Sequence, residues 1–150
     1  MARNIASHSA FKMHYLKHVS ASDVLTDYEF AATGSSALLK LLHAIGLSAG
    51  DTVLVPSFIC DSVTLALDYA GYKMIFIEPD DNQLWPSVHS LDRITTDQKI
   101  NAVVFVEYFG FEILEFSQLF NYFEKENIPI IIDRCHSNLI KADYDSRIPN

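Results

Sequence analysis

Positive charge is scarce in this chain. Eleven Lys and Arg face nineteen Asp and Glu across 150 residues, for a formal net charge of −8, which argues against binding to nucleic acid or to an anionic membrane surface. Cysteine is scarcer still: Cys60 and Cys135 alone make no disulfide framework, and both are read as reduced, buried thiols of a cytoplasmic protein. No apolar run approaches the ~20 residues that a membrane helix needs. Residues 1–9 hold one arginine and no apolar stretch, so they are not read as a secretory leader. Internal repeats, low-complexity tracts and linkers are also missing. What remains is 49% hydrophobic and 20% charged, too apolar for wholesale disorder. A chain of this length forms one domain, burying about two thirds of its unfolded surface.

Four short apolar runs, Thr52–Val55, Met74–Ile77, Ala102–Val106 and Ile130–Ile132, lack polar alternation and read as strands buried on both faces. Tyr28 to Thr33 is a weaker fifth. Helical segments lie between them. Ala37, Leu38, Leu41, Leu42 and Ile45 keep the spacing of an amphipathic helix that Gly46 can close. Asp61 or Ser62 can cap a second, with Leu65 and Tyr69 among its apolar positions, ending near Gly71. A short third runs from Ser87 to Ile94. Phe116, Leu119, Phe120 and Phe123 mark a fourth, with Glu112 and Glu115 on its first turn. Strands alternating with helices predict an α/β fold, a three-layer α/β/α sandwich around a mostly parallel sheet. Residues 1–27 are expected to be a helical arm, centred on His8 to His18, and residues 28–150 the domain proper.

The most informative stretch is Ile130-Ile131-Ile132-Asp133-Arg134-Cys135-His136. An apolar run stops at a carboxylate, at the strand end where open α/β sheets bind ligands. Asp133 there calls for a cationic neighbour, although alone it could be a helix cap or a loop acid. The turn Thr33-Gly34-Ser35-Ser36-Ala37 offers free amides, two hydroxyls and a positive dipole end, which suit a phosphate; taken alone, the motif is better accounted for by plain helix capping. Phe58 follows the Thr52–Val55 strand on the same rim, by itself a core residue sooner than a stacking platform. His14 and His18 stand one helical turn apart without a third ligand, so they are read as a solvated helix face and no metal site is expected. A Cys135–His136 nucleophilic pair is disfavoured, since adjacent strand residues point to opposite faces. Trp85-Pro86 and Asp80-Asp81 read as a surface loop.

These segments, in this order, resemble the DegT/DnrJ/StrS sugar aminotransferases, which are fold-type-I pyridoxal-phosphate enzymes. Residues 32–38 resemble the family's phosphate-binding turn. Residues 50–58 are similar to its "GDxVxVPSF" strand, residues 68–73 to its "YAGAKP" helix end, residues 106–111 to its "HYFGF" segment, and residues 132–137 to its "EDxAH" motif. The resemblance implies an incomplete large domain of that fold and non-covalent binding of pyridoxal phosphate. Asp133 would face the pyridine nitrogen and keep it protonated, Gly34, Ser35 and Ser36 would hold the phosphate, and His136 would lie beside the ring near its phenolic oxygen. Cys60 stands where the family carries its ring-stacking aromatic, with Phe58 near enough to shift in, and Glu107 stands where a histidine is common.

The family's cofactor lysine lies several dozen residues beyond the Asp-x-x-His motif. None of Lys12, Lys17, Lys40, Lys73, Lys99, Lys125 and Lys141 matches it, so no catalytic residue is expected here. The reading that follows is a truncated or partial sugar-nucleotide aminotransferase of polysaccharide or lipopolysaccharide sugar biosynthesis, inactive alone. Its alternatives are a non-catalytic binding module for pyridoxal phosphate or a nucleotide sugar, and a subunit completed by a separate carboxyl-terminal chain. A flavodoxin-like nucleotide binder would share the alternation of elements without needing Asp133. The family's next two strands sit between the first strand and the Ala102–Val106 strand. Without them, open edges should bring marginal stability, self-association as a homo-oligomer, or a different packing of the amino-terminal segment.

Overall fold

Val, Leu, Ile and Phe fill the runs that become the inner strands. The computed structural model describes residues 3–7, 12–16, 28–113 and 115–136. In chain order the elements are β1 (Arg3–Ser7), β2 (Lys12–Leu16), β3 (Tyr28–Ala31), α1 (Gly34–Ala44), β4 (Thr52–Pro56), α2 (Asp61–Tyr69), β5 (Lys73–Ile77), α3 (Val88–Asp97), β6 (Ala102–Val106), a 3₁₀ turn at Tyr108–Gly110, α4 (Phe116–Lys125) and β7 (Ile130–Asp133). The strands form one sheet in the order β3-β1-β2-β7-β6-β4-β5. The block β7-β6-β4-β5 is parallel throughout, as is β1 with β3. β2 runs antiparallel to both of its neighbours.

Two cores cover the two faces of the sheet. On one, Ala37, Leu38, Leu41 and Leu42 of α1 and Val63 and Leu67 of α2 pack on Val53, Val55, Val104 and Ile131. On the other, Leu91 of α3 and Phe116, Leu119, Phe120 and Phe123 of α4 pack on Leu54, Val103, Phe105, Ile130 and Ile132. This is the three-layer α/β/α sandwich, and adjacent residues of β7 divide between its two faces as strand geometry requires.

Several expectations change. The described parts of the expected helical arm, Arg3–Ser7 and Lys12–Leu16, are the strands β1 and β2. His14 therefore sits in a ladder opposite Ile132, which removes the helical spacing on which the His14–His18 pair rested; His18 lies outside the described residues. The pair β1–β2 fills the positions between β3 and β7, so the different packing of the amino-terminal segment is the arrangement found. Backbone pairing decides this, because an open β7 edge would leave unpaired the amide and carbonyl groups of a strand buried along its whole length. On α2 the buried residues are Val63 and Leu67, while Leu65 and Tyr69 are 66% and 94% exposed; a helix lying on an edge buries a narrow stripe. Trp85 is core, its indole N–H donating to the Val106 carbonyl at 2.7 Å. Glu115 is the N-cap of α4, with φ 53°, so the first turn itself carries no acid.

Truncating the fully buried Phe123 to Ala is expected to cost about 3–5 kcal/mol in urea unfolding, whereas Tyr69→Ser should stay within about 0.5 kcal/mol. Equal costs would overturn the assignment of the two layers.

Candidate functional site

The carboxyl ends of the parallel strands carry the candidate site. After β3 the chain turns into α1, with Thr33 as N-cap: its hydroxyl accepts from the Ser36 amide at 3.1 Å, and the Ser36 hydroxyl accepts from the Thr33 amide at 3.0 Å. This reciprocal box is the capping reading of the turn. It takes the Ser36 amide, and the Ala37 amide bonds to the Thr33 carbonyl. The amides of Gly34 and Ser35 are the two of the first turn that the cap leaves for an anion. The Ser35 hydroxyl donates to the Ser62 carbonyl at 2.8 Å, and the Ser62 hydroxyl lies 3.2 Å from the Cys60 sulfur. The starts of α1 and α2 are thereby drawn together, with Gly34, Ser35, Ser36 and Cys60 around them.

At the β7 end, Asp133 is 3% exposed. Ile131 belongs to the core beneath α1 and α2, so strand alternation turns Asp133 to that same face. Its Oδ1 accepts from the Cys135 amide at 3.0 Å, and the Cys135 thiol also donates to the carboxylate. Among the described residues no cation pairs with Asp133. Burial raises its pKa above the ordinary carboxylate value, against smaller lowering from the Cys135 amide and thiol and from nearby His136. A buried carboxylate with spare acceptor capacity demands a donor.

Around it, Tyr108 donates its hydroxyl to the Phe58 carbonyl, and the two rings lie 5.3 Å apart. Burial, then the Asp133 charge, push the Tyr108 phenol up to about 12. The same two causes, in the same order, push the Cys135 thiol up to about 12, so it is neutral at physiological pH and is no nucleophile. Phe109, at φ 54°, stacks on the exposed His136 with ring centroids 5.7 Å apart and planes at 12°. Neither the core reading of Phe58 nor the buried reading of the thiols holds: Phe58 is 59% exposed, Cys60 is exposed and Cys135 half-buried. All three follow strand ends, where no further layer covers them among the described residues.

The structure thus joins Ser35, Ser62 and Cys60 at one group, and Phe58, Tyr108, Phe109 and His136 at another. Gly34, Ser35, Ser36 and Asp133 stand at the same end and on the same face of the sheet, without a hydrogen bond between the turn and the acid. Sequence reading missed Arg134, whose Nε donates to Glu107 Oε2 at 2.8 Å with both side chains buried. The available signal was an arginine directly after an apolar strand, where a buried cation requires an acid.

Because the folded-state pKa of Asp133 is raised above its unfolded value, its contribution to stability is present at low pH and is lost as pH rises through the folded value. Urea unfolding from about pH 4 to about pH 8 should show the ligand-free chain losing stability relative to Asp133→Asn as pH rises. A gap that moves the other way would mean that this charge is already compensated.

Comparison with known proteins adds three findings. The family model described as the DegT/DnrJ/EryC1/StrS aminotransferase family matches residues 23–146. Among curated proteins, the chain is 23% identical over 122 residues to the UDP-4-amino-4-deoxy-L-arabinose--oxoglutarate aminotransferase of Shewanella sediminis (strain HAW-EB3), covering 81% of this chain and 30% of that protein. It is 34% identical over 80 residues to the GDP-perosamine synthase of Escherichia coli O157:H7, covering 53% and 21%. Among solved structures, a Streptococcus pneumoniae protein named as a sugar aminotransferase shares the fold in its PLP form with a TM-score of 0.54, at 21% identity over 61% of this chain and 23% of that one. The chain therefore spans less than a third of the length of these relatives.

Proposed function

The chain belongs to the DegT/DnrJ/EryC1/StrS aminotransferase family, and on that premise we propose that it is the cofactor-cradling part of a sugar-nucleotide aminotransferase, holding pyridoxal phosphate non-covalently. The observation that carries this is Asp133: a carboxylate 3% exposed, at the carboxyl end of a parallel strand, with no cation paired to it among the described residues. A protonated pyridine nitrogen is a donor of matching charge for such a site. The residues present fit the rest of the group. The Gly34 and Ser35 amides, at the positive end of α1, suit a phosphate dianion. Phe58 offers an exposed face where Cys60 gives none, and His136, held by Phe109, stands beside Asp133 to donate to a phenolic oxygen.

When bound, the cofactor supplies an electron sink for the substrate's amino carbon. The chain's own part is to bind and to hold charge. Asp133 keeps a proton on the ring nitrogen, the α1 amides fix the phosphate end, and the aromatic rim excludes water from one side of the ring. Transamination also needs an amine to carry the cofactor and move the proton, and among the described residues no lysine stands with the site residues. We infer that the complete reaction, on a nucleotide-activated sugar of polysaccharide synthesis in the cytoplasm, requires the length of the relatives that this chain does not span. A second copy or a complementary chain would then cover the rim. The exposure of Phe58, Phe109 and Phe111, each 59–63%, supports that reading. Among the described residues no helix is long and apolar enough to cross a membrane.

Titrating the purified chain with pyridoxal phosphate should give a saturable change in cofactor fluorescence. Asp133→Asn should weaken the affinity by about tenfold or more while the chain stays folded. No saturable signal in the unmodified chain, or equal affinity in Asp133→Asn, would overturn the proposal.

A further inference from the structure

Among the described side chains the buried charged ones are Glu107, Asp133 and Arg134. They share one place, the carboxyl ends of β6 and β7, where the Glu107 amide donates to the Asp133 carbonyl at 2.9 Å. They do not share one face. Ile130 and Ile132 pack beneath α3 and α4, so alternation turns Arg134 to that side, where it meets Glu107. Asp133 turns to the opposite side, beneath α1 and α2.

We propose that Glu107 neutralises Arg134 and so withholds this cation from its chain neighbour, leaving Asp133 as the uncompensated buried charge, reserved for a cationic ring. The proposal deepens the cofactor reading and rests on it for the identity of the ring. Burial of one acid and one base as a contacting pair costs far less than burial of either alone. Three buried charges of which two cancel leave a single negative charge at the rim. Of the described titratable groups facing it, Tyr108 and Cys135 are both held in their neutral forms, and His136, exposed to solvent, offsets it by less than burial raises it. Without the Glu107 charge, the Arg134 guanidinium, one residue away in a poorly screened interior, would act on Asp133 directly. The acid would then be satisfied internally, and a cationic ligand would gain less by approaching it.

Glu107 is thus a positioning residue, acting on the site through Arg134, and the test separates this from a merely structural role. In the ligand-free full chain, the Asp133 side-chain carboxyl carbon is followed through a pH titration by NMR. Pyridoxal phosphate affinity is read in parallel by fluorescence. Glu107→Gln should lower the Asp133 midpoint by about one pH unit and weaken the cofactor about tenfold. Adding Arg134→Gln should restore both, and Glu107→Asp should leave both near their starting values. Arg134→Gln alone should move the midpoint upward, so the sign remains readable if Glu107→Gln does not fold. An unmoved midpoint in the single variants, or a double variant that restores neither reading, would overturn the proposal. Because the midpoint needs no ligand, midpoints that shift as expected in a chain that binds no cofactor would uphold this inference while removing the cofactor reading.

Discussion

Burial of the Asp133 carboxylate at the end of β7, with no cation paired to it among the described residues, is the constraint on which the arrangement of the rim depends. An ionised acid in that position is tolerable only while its neighbours supply donors, and the chain supplies the Cys135 amide and thiol. The neighbouring charges are arranged around the same constraint. Arg134 is directed to the other face and held by Glu107, and Tyr108 and Cys135 are pushed into their neutral forms. A single local charge is thereby kept in a medium where its reach is long. The fold's part is to make that medium dry, with β6 and β7 buried along their whole length between two helical layers.

The same burial explains the sheet. β7 reads Ile-Ile-Ile-Asp and has no side that can face water, so both of its edges need partners as well as both faces. β6 covers one edge in parallel, and β2 covers the other in antiparallel register, with Met13 opposite Asp133. The amino-terminal strands thus stand beside the candidate site, and the sheet reaches β3 through them. The interaction is one of backbone hydrogen bonds, which any sequence of extended residues can make. That is why a segment whose side-chain pattern suggests a weak helix can take the place.

Much of this was legible in the residues. The runs at Thr52–Val55, Ala102–Val106 and Ile130–Ile132 could only be inner strands, because continuous Val, Ile and Phe without alternation have no polar face to offer solvent. The Phe116–Phe123 stripe could only be a helix face, because its spacing repeats every three to four residues. Asp133 stood out because it ends such a run. Less visible were features that depend on what lies across space. Tyr69 and Leu65 look apolar enough to be core, but α2 lies over the edge of the sheet and buries Val63 and Leu67 instead. Trp85 looks like a loop residue, but its indole finds the Val106 carbonyl. The capping box of Thr33 and Ser36 and the free amides of Gly34 and Ser35 are compatible with the same five letters, and geometry divided the turn between the two uses.

Sequence by itself determined the class of fold, the order of strands and helices in the parallel block, and the chemistry available at the strand ends. Those are properties of local periodicity, and each residue carries its share of them. Only the tertiary structure decided which faces those residues take and which charges meet. Whether Arg134 answers to Asp133 or to Glu107 turns on the pleat of β7 and the register of β6 against it, and no single strand contains that information. The placement of β1 and β2 was decided the same way, by an unpaired edge elsewhere in the chain that needed hydrogen-bond partners more than the segment needed a helix.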